Sequence, residues 1–140
     1  MSSAIWEECV IALVIVATHG ELAGSLIRTA ELLLGRQEAA EEVSLGEGES
    51  LDSFETRLSV LLASHGNPEA LVLVDLFGGT PFNRVARISM SNPGIQCVTG
   101  VNLPMLVEVL AEAPHRSMEE LAEIAAESGI SGIVDLRRRK

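Results

Sequence analysis

The chain is short of basic residues, of cysteine and of long apolar runs, and each shortage removes a class of function. Ten Lys and Arg stand against 20 Asp and Glu, giving a formal charge of −10. Four of the ten close the chain as Arg137, Arg138, Arg139 and Lys140, so the body is more acidic still. Duplex nucleic acid is bound through clustered Lys and Arg that neutralise phosphates, so no nucleic-acid partner is expected. The basic tail itself reads as a solvated terminus. Cys9 and Cys97 stand apart, without CxxC or Cys/His ligand spacing. They are expected to be small buried apolar residues of a reduced, cytoplasmic protein, with no metal site. The most apolar run, Val10 to Ala17, has the length of a strand and falls well short of the roughly 20 residues that a bilayer span needs. Trp6, Glu7 and Glu8 precede it where a signal peptide would carry basic residues.

What is present fits one compact domain: 140 residues, 47% of them hydrophobic, with a mean hydropathy of +0.30. Residues 1–8 look like an extension, 9–136 like the domain and 137–140 like the tail. Apolar runs alternate with amphipathic segments, the signature of an α/β fold with a mainly parallel, doubly wound sheet. VIALVIVA (Val10 to Ala17) and ALVLVD (Ala70 to Asp75) suit central strands buried on both faces. Glu42 to Leu45 is short and polar, which suits an edge, and Ile95 to Thr99 is a fourth strand. The order 2-1-3-4 follows. Leu22, Leu26, Ala30, Leu33 and Leu34 mark a first helix capped by Gly35. Leu51 to Leu62 mark a second, with Ser50 as its N-cap. Pro81 opens a third, with Thr80 as N-cap and Phe82, Val85, Ala86 and Met90 facing inward. Asn102 and Pro104 begin a short fourth helix. Ser117 and Glu120 form a capping box for a fifth, expected to end at Gly129. Ile130 to Leu136 is expected to be a last strand.

In open α/β sheets, ligands bind beyond the carboxyl ends of strands where the strand order reverses. The first strand ends in Thr18-His19-Gly20, and the third ends in Asp75 before Leu76-Phe77-Gly78-Gly79-Thr80. Order 2-1-3-4 makes these strands neighbours, so His19 and Asp75 face each other across one crevice. A carboxylate that accepts the proton of one imidazole nitrogen leaves a lone pair on the other. That second nitrogen is a nucleophile suited to phosphoryl transfer, beside a helix N-terminus that favours an anion. Gly20, Gly78 and Gly79 let the backbone approach a phosphoryl group or a partner closely. His65 and His115 sit in loop contexts and are assigned no chemistry.

Three blocks, IALVIVATHGELAGSLIRTAELLLG, LVLVDLFGGTPFNRVARI and GVNLPMLVEVL, together resemble the mannose-family enzyme IIA domain of the bacterial sugar phosphotransferase system. The resemblance covers roughly Val10 to Val134. It implies that His19 is the phosphorylated residue and that Asp75 hydrogen-bonds it. Thr18, Gly20, Gly78, Gly79, Thr80 and Asn102 are implied to border the phosphate or partner site. The implied donor is the histidine-containing phosphocarrier protein. The implied acceptor is an enzyme IIB domain at the membrane IIC/IID transporter. No metal or nucleotide cofactor is expected, since transfer between imidazoles needs mainly alignment and charge stabilisation. Ile130 to Leu136 is too apolar for a free edge, and Gly129 and Gly132 at its start are a connector that could swing outward between protomers. The resemblance implies a homodimer in which this strand is swapped and antiparallel; the alternative is a monomer in which it completes its own sheet in parallel.

Two relatives in chemistry compete with this reading: a regulatory protein whose His19 reports phosphotransferase flux, and the phosphotransfer subunit of a dihydroxyacetone kinase. The GGTPFN and GVNLPML blocks favour the mannose branch over the latter. A response-regulator receiver is excluded. It needs an acidic pair after the first strand and a core lysine, whereas this strand ends Ala17-Thr18-His19 and Lys140 is the single lysine.

Overall fold

The computed structural model describes residues 12–138. Four strands, β1 (Leu13–His19), β2 (Ala40–Leu45), β3 (Ala70–Val74) and β4 (Ile95–Thr99), alternate with five helices. The helices are α1 (Leu22–Leu34), α2 (Leu51–Ser64), α3 (Thr80–Ser91), α4 (Leu103–Glu112) and α5 (Met118–Ser131). The sheet is parallel throughout in the order β2-β1-β3-β4, as expected.

Both faces of the two central strands are covered, which is why they read as unbroken apolar runs. Val14, Val16, Leu71 and Leu73 pack with Ala23, Ile27, Leu106 and Leu121 of α1, α4 and α5. Leu13, Ile15, Val72 and Val74 point the other way, onto Phe54, Leu58 and Leu62 of α2 and Val85 of α3. Each such buried side chain contributes about 1.5–3 kcal/mol relative to leaving it in water. The register pairs Ala17 with Val74 and His19 with Leu45, so the carboxyl ends of β1, β2 and β3 lie level.

Local chemistry sets most boundaries. Gly35, at φ 86°, ends α1. The Ser50 side chain accepts from Ser53 N at the start of α2, and Ser117 and Glu120 complete their reciprocal capping box. Asn102 Oδ1 accepts from Met105 N at the start of α4.

Several expectations are corrected. Strand β2 begins at Ala40 rather than Glu42, and β1 runs on to His19. Val10, the extension 1–8, Cys9 and the last two tail residues lie outside the described residues. The buried stripe of α1 is Ala23, Ile27 and Ala30, while Leu33 is exposed and Leu22 partly so. In α3, Met90 is exposed, and Ile88 packs against the core instead. Gly79, not Thr80, holds the N-cap position of α3, with no side-chain cap; Thr80 is the first helical residue.

The largest difference lies at the end of the chain. Ile130 to Leu136 form no strand: α5 continues through Ser131, and local turns follow. Gly132 N donates to Ser128 O, Ile133 N to Ile130 O and Arg138 N to Asp135 O. These short-range bonds satisfy backbone groups that a strand could satisfy only at a sheet edge. Gly129 lies within α5 and Gly132 directly follows it. A Cβ on Gly129 would meet Met105 Cε at 2.8 Å, and one on Gly132 would meet Pro104 at 2.5 Å. Their missing side chains let α5 lie close against the start of α4.

Candidate functional site

His19 is the last residue of β1, and Asp75 directly follows β3, so adjacent parallel strands deliver both to one end of the sheet. Asp75 Oδ2 lies 2.8 Å from His19 Nδ1 and accepts the His19 backbone N–H at 3.0 Å. Its other oxygen accepts the N–H of Leu76 at 3.0 Å. Burial pushes the Asp75 carboxyl up, but the ring and backbone N–H groups of His19 outweigh it and hold the group below the usual carboxylate range. An ionised carboxylate can only accept, so Nδ1 carries the proton and Nε2 keeps its lone pair. Among the described residues no hydrogen bond reaches Nε2. The His19 side chain is 43% exposed and that of Asp75 12%: the ring is open to a partner while its anchor is covered.

The turn after Asp75 wraps this pair. Gly79 N donates to Leu76 O at 3.3 Å, and Gly78 sits at φ 80°, the third turn position where a positive φ favours glycine. Gly20, at φ 56°, donates its N–H to Leu45 O at 2.9 Å. Helices α1 and α3 begin beside His19 and Asp75, so two helix N-termini flank the same end of the sheet.

The other residues assigned to the site are placed differently from the pair. Thr18 is fully buried, and its Oγ1 accepts the N–H of Ala23 at 2.8 Å. It anchors the first turn of α1. Asn102 is engaged on both sides, accepting from Met105 N and donating Nδ2–H to Gly129 O at 3.1 Å. It ties α4 to α5. Thr80 opens α3 next to the turn. His65 ends α2 with Nε2 3.2 Å from Glu41 Oε2, and His115 lies in a short 3-10 turn.

The structure also adds two residues. Leu76 and Phe77 are 60% and 80% exposed, with the Phe77 ring 4.9 Å from that of Phe82. Two large apolar side chains in water beside a reactive pair make a surface suited to a protein partner. An apolar dipeptide inside a Gly-rich turn, which has no core to enter, is the sequence signal for them.

Fold and site define an α/β domain that presents a carboxylate-oriented histidine where the strand order of its parallel sheet reverses. The family model described as the PTS system fructose IIA component (EIIA-man) matches residues 13–126. The chain belongs to this family of phosphotransferase-system IIA components. It is 36% identical to the mannose-specific EIIAB component of Escherichia coli K12 over 128 residues, covering 90% of this chain and 40% of that protein. It is 30% identical to the fructose-specific EIIA component of Bacillus subtilis over 109 residues, 77% of this chain and 75% of that one. The chain thus spans well under half the length of its mannose-specific relatives. Among solved structures, the mannose/sorbose-specific IIA subunit from Enterococcus faecalis superposes with a TM-score of 0.84 at 28% identity, covering 94% of this chain and 98% of that one. Among the described residues no helix is long and apolar enough to cross a membrane.

Proposed function

We propose that the chain is a phosphoryl carrier in sugar uptake. It takes phosphate from the histidine-containing phosphocarrier protein onto His19 and passes it to an enzyme IIB domain. The observation that carries this is the 2.8 Å contact between His19 Nδ1 and Asp75 Oδ2, with the carboxyl held ionised.

In the forward step, the Nε2 lone pair attacks the phosphorus of the donor's phosphohistidine. A new Nε2–P bond forms as the donor's N–P bond breaks, and the donor imidazole leaves with its electron pair. His19 keeps the proton on Nδ1 throughout, and its ring gains positive character. Asp75 stabilises that charge without taking the proton. The second step is the same exchange in reverse, with a IIB nucleophile attacking. No redox partner is required, and no group other than the two nucleophiles changes bonding. The carrier acts in the cytoplasm, and Leu76 and Phe77 supply the apolar contact for both partners in turn.

The carrier is also proposed to be a homodimer. Ile130, Ile133, Val134 and Leu136 are more than half exposed. Ile130 and Ile133 line a groove of about 320 Å³ with Val98 and Thr99 of the edge strand β4. A second copy covering this segment supplies the burial that one chain cannot.

Incubation with phosphoenolpyruvate, enzyme I and the phosphocarrier protein tests the central reading. One phosphoryl group should appear in the intact mass, stable to base and labile to acid. It should be lost in His19→Ala while the helical circular dichroism is kept. Labelling that persists in that variant would refute the assignment.

A further inference from the structure

The two glycines of the turn do different things. Gly78 needs glycine for its backbone: its φ is 80°, and a Cβ there would meet nothing within 4 Å. Gly79 has an ordinary extended backbone, φ −74° and ψ 173°, that any residue adopts. A Cβ built on Gly79, however, would lie 3.0 Å from Cε1 of His19. Cε1 is the ring carbon between the two nitrogens, so whatever stands against it decides how far the ring can turn. The neighbouring wall, Leu76, would be in normal contact with the same Cβ at 3.5 Å, so the crowding falls on the imidazole.

We propose that Gly79 is a positioning residue for His19: its missing side chain leaves the space that lets the ring keep Nδ1 on Asp75 and Nε2 towards the partner. A methyl group at 79 must shift the ring or the turn by a few tenths of an ångström. The turn is tied by the Gly79 N–H to Leu76 O and by the Asn83 N–H to Gly79 O, whereas the ring is held by a single side-chain contact. Rotation away from the methyl lengthens the bond to Asp75 and frees the proton to sit on either nitrogen. The proposal deepens the phosphoryl-carrier reading, yet its structural half does not depend on any phosphoryl donor.

The test is Gly79→Ala, read by the ring nitrogen signals of His19 in NMR and by the rate of labelling from the phosphocarrier protein. Only His65 and His115 share that spectral region. The wild type should show one tautomer for His19, protonated at Nδ1. Gly79→Ala should show a mixture like that of Asp75→Ala, with His65 and His115 unmoved and labelling about 10–100-fold slower. Adding Gly79→Ala to Asp75→Ala should slow labelling little further, because both act through one contact. Gly78→Ala, by contrast, should lower the thermal midpoint.

A His19 that keeps its single tautomer in Gly79→Ala overturns the proposal, as do fully additive losses in the double variant. A Gly79→Ala chain without native helix content also overturns it, since the position would then serve the fold. If the wild type takes no phosphate but its tautomer still responds to Gly79→Ala, the positioning role stands and the carrier reading falls.

Discussion

His19 and Asp75 are joined twice, because one carboxylate oxygen accepts both the ring Nδ1–H at 2.8 Å and the backbone N–H of the same histidine at 3.0 Å. The backbone bond fixes where the carboxylate stands relative to β1, and the ring bond then fixes the imidazole relative to the carboxylate. Orientation therefore passes from the sheet to the nucleophile through a single side chain.

Replacing Asp75 by Asn keeps the shape and removes the charge. The amide can present its NH2 to Nδ1 and so favour the wrong tautomer, and it cannot offset positive charge on the ring. Asp75→Asn should slow phosphorylation by about 100-fold or more with unchanged circular dichroism. Near-normal rates in rapid quench would show that the two residues do not act together.

Thr18→Val keeps the size of the side chain but leaves the Ala23 N–H, at the start of α1, without its acceptor. The loss should be about 1–2 kcal/mol in urea denaturation. A stability equal to wild type with a slower labelling rate would instead return Thr18 to the site.

The Arg57 guanidinium grips Glu49 with both arms, at 2.9 Å from Nε and 2.7 Å from Nη2, and also donates to Ser44 O. This contact, with the Gly46 N–H and Ser53, lowers the Glu49 carboxyl from 4.5 to about 2. A depressed carboxyl stabilises the fold above its unfolded value. That contribution is complete above pH 4.5 and is lost as the pH falls through about 2. Carboxyl carbon NMR should show the low midpoint in the wild type and a midpoint moved up towards 4.5 in Arg57→Leu. A midpoint that stays low without the arginine would reassign the cause to the backbone.

Light scattering of the full chain should give a dimer at high micromolar concentration. The pair Ile133→Asp and Val134→Asp should give a folded monomer that still labels on His19. Truncation after Gly132 should do the same, because α5 and its packing against Pro104 are retained. A monomeric wild type would remove the dimer and leave the chemistry of His19 intact.

The sheet order was legible because burial on both faces leaves no polar residue in Leu71 to Val74, while the short, polar stretch Glu42 to Leu45 marks β2 as an edge. From that order alone, His19 and Asp75 could be brought to one crevice. The end of the chain was not legible in the same way. Ile130 to Leu136 carry the side chains of a strand, but a strand is made by a partner edge, which composition does not contain. The hydroxyl of Thr18 was also hidden, since it reaches the start of α1 from three residues before the helical N-cap at Glu21. Gly79 shows a third limit: its sequence neighbours suggest a turn, whereas the atom it makes room for belongs to a residue 60 positions earlier.

The sheet has two edges among the described residues, β2 and β4, and they are chemically unlike. β2 carries Glu41 and Glu42, so two copies brought edge to edge there meet like charges, and growth from that side is opposed. The apolar segment lies only at the β4 side. An assembly with one adhesive side closes after a single two-fold contact, because each copy spends its sticky face on the other. The proposed dimer would accordingly close at two copies rather than grow into fibres.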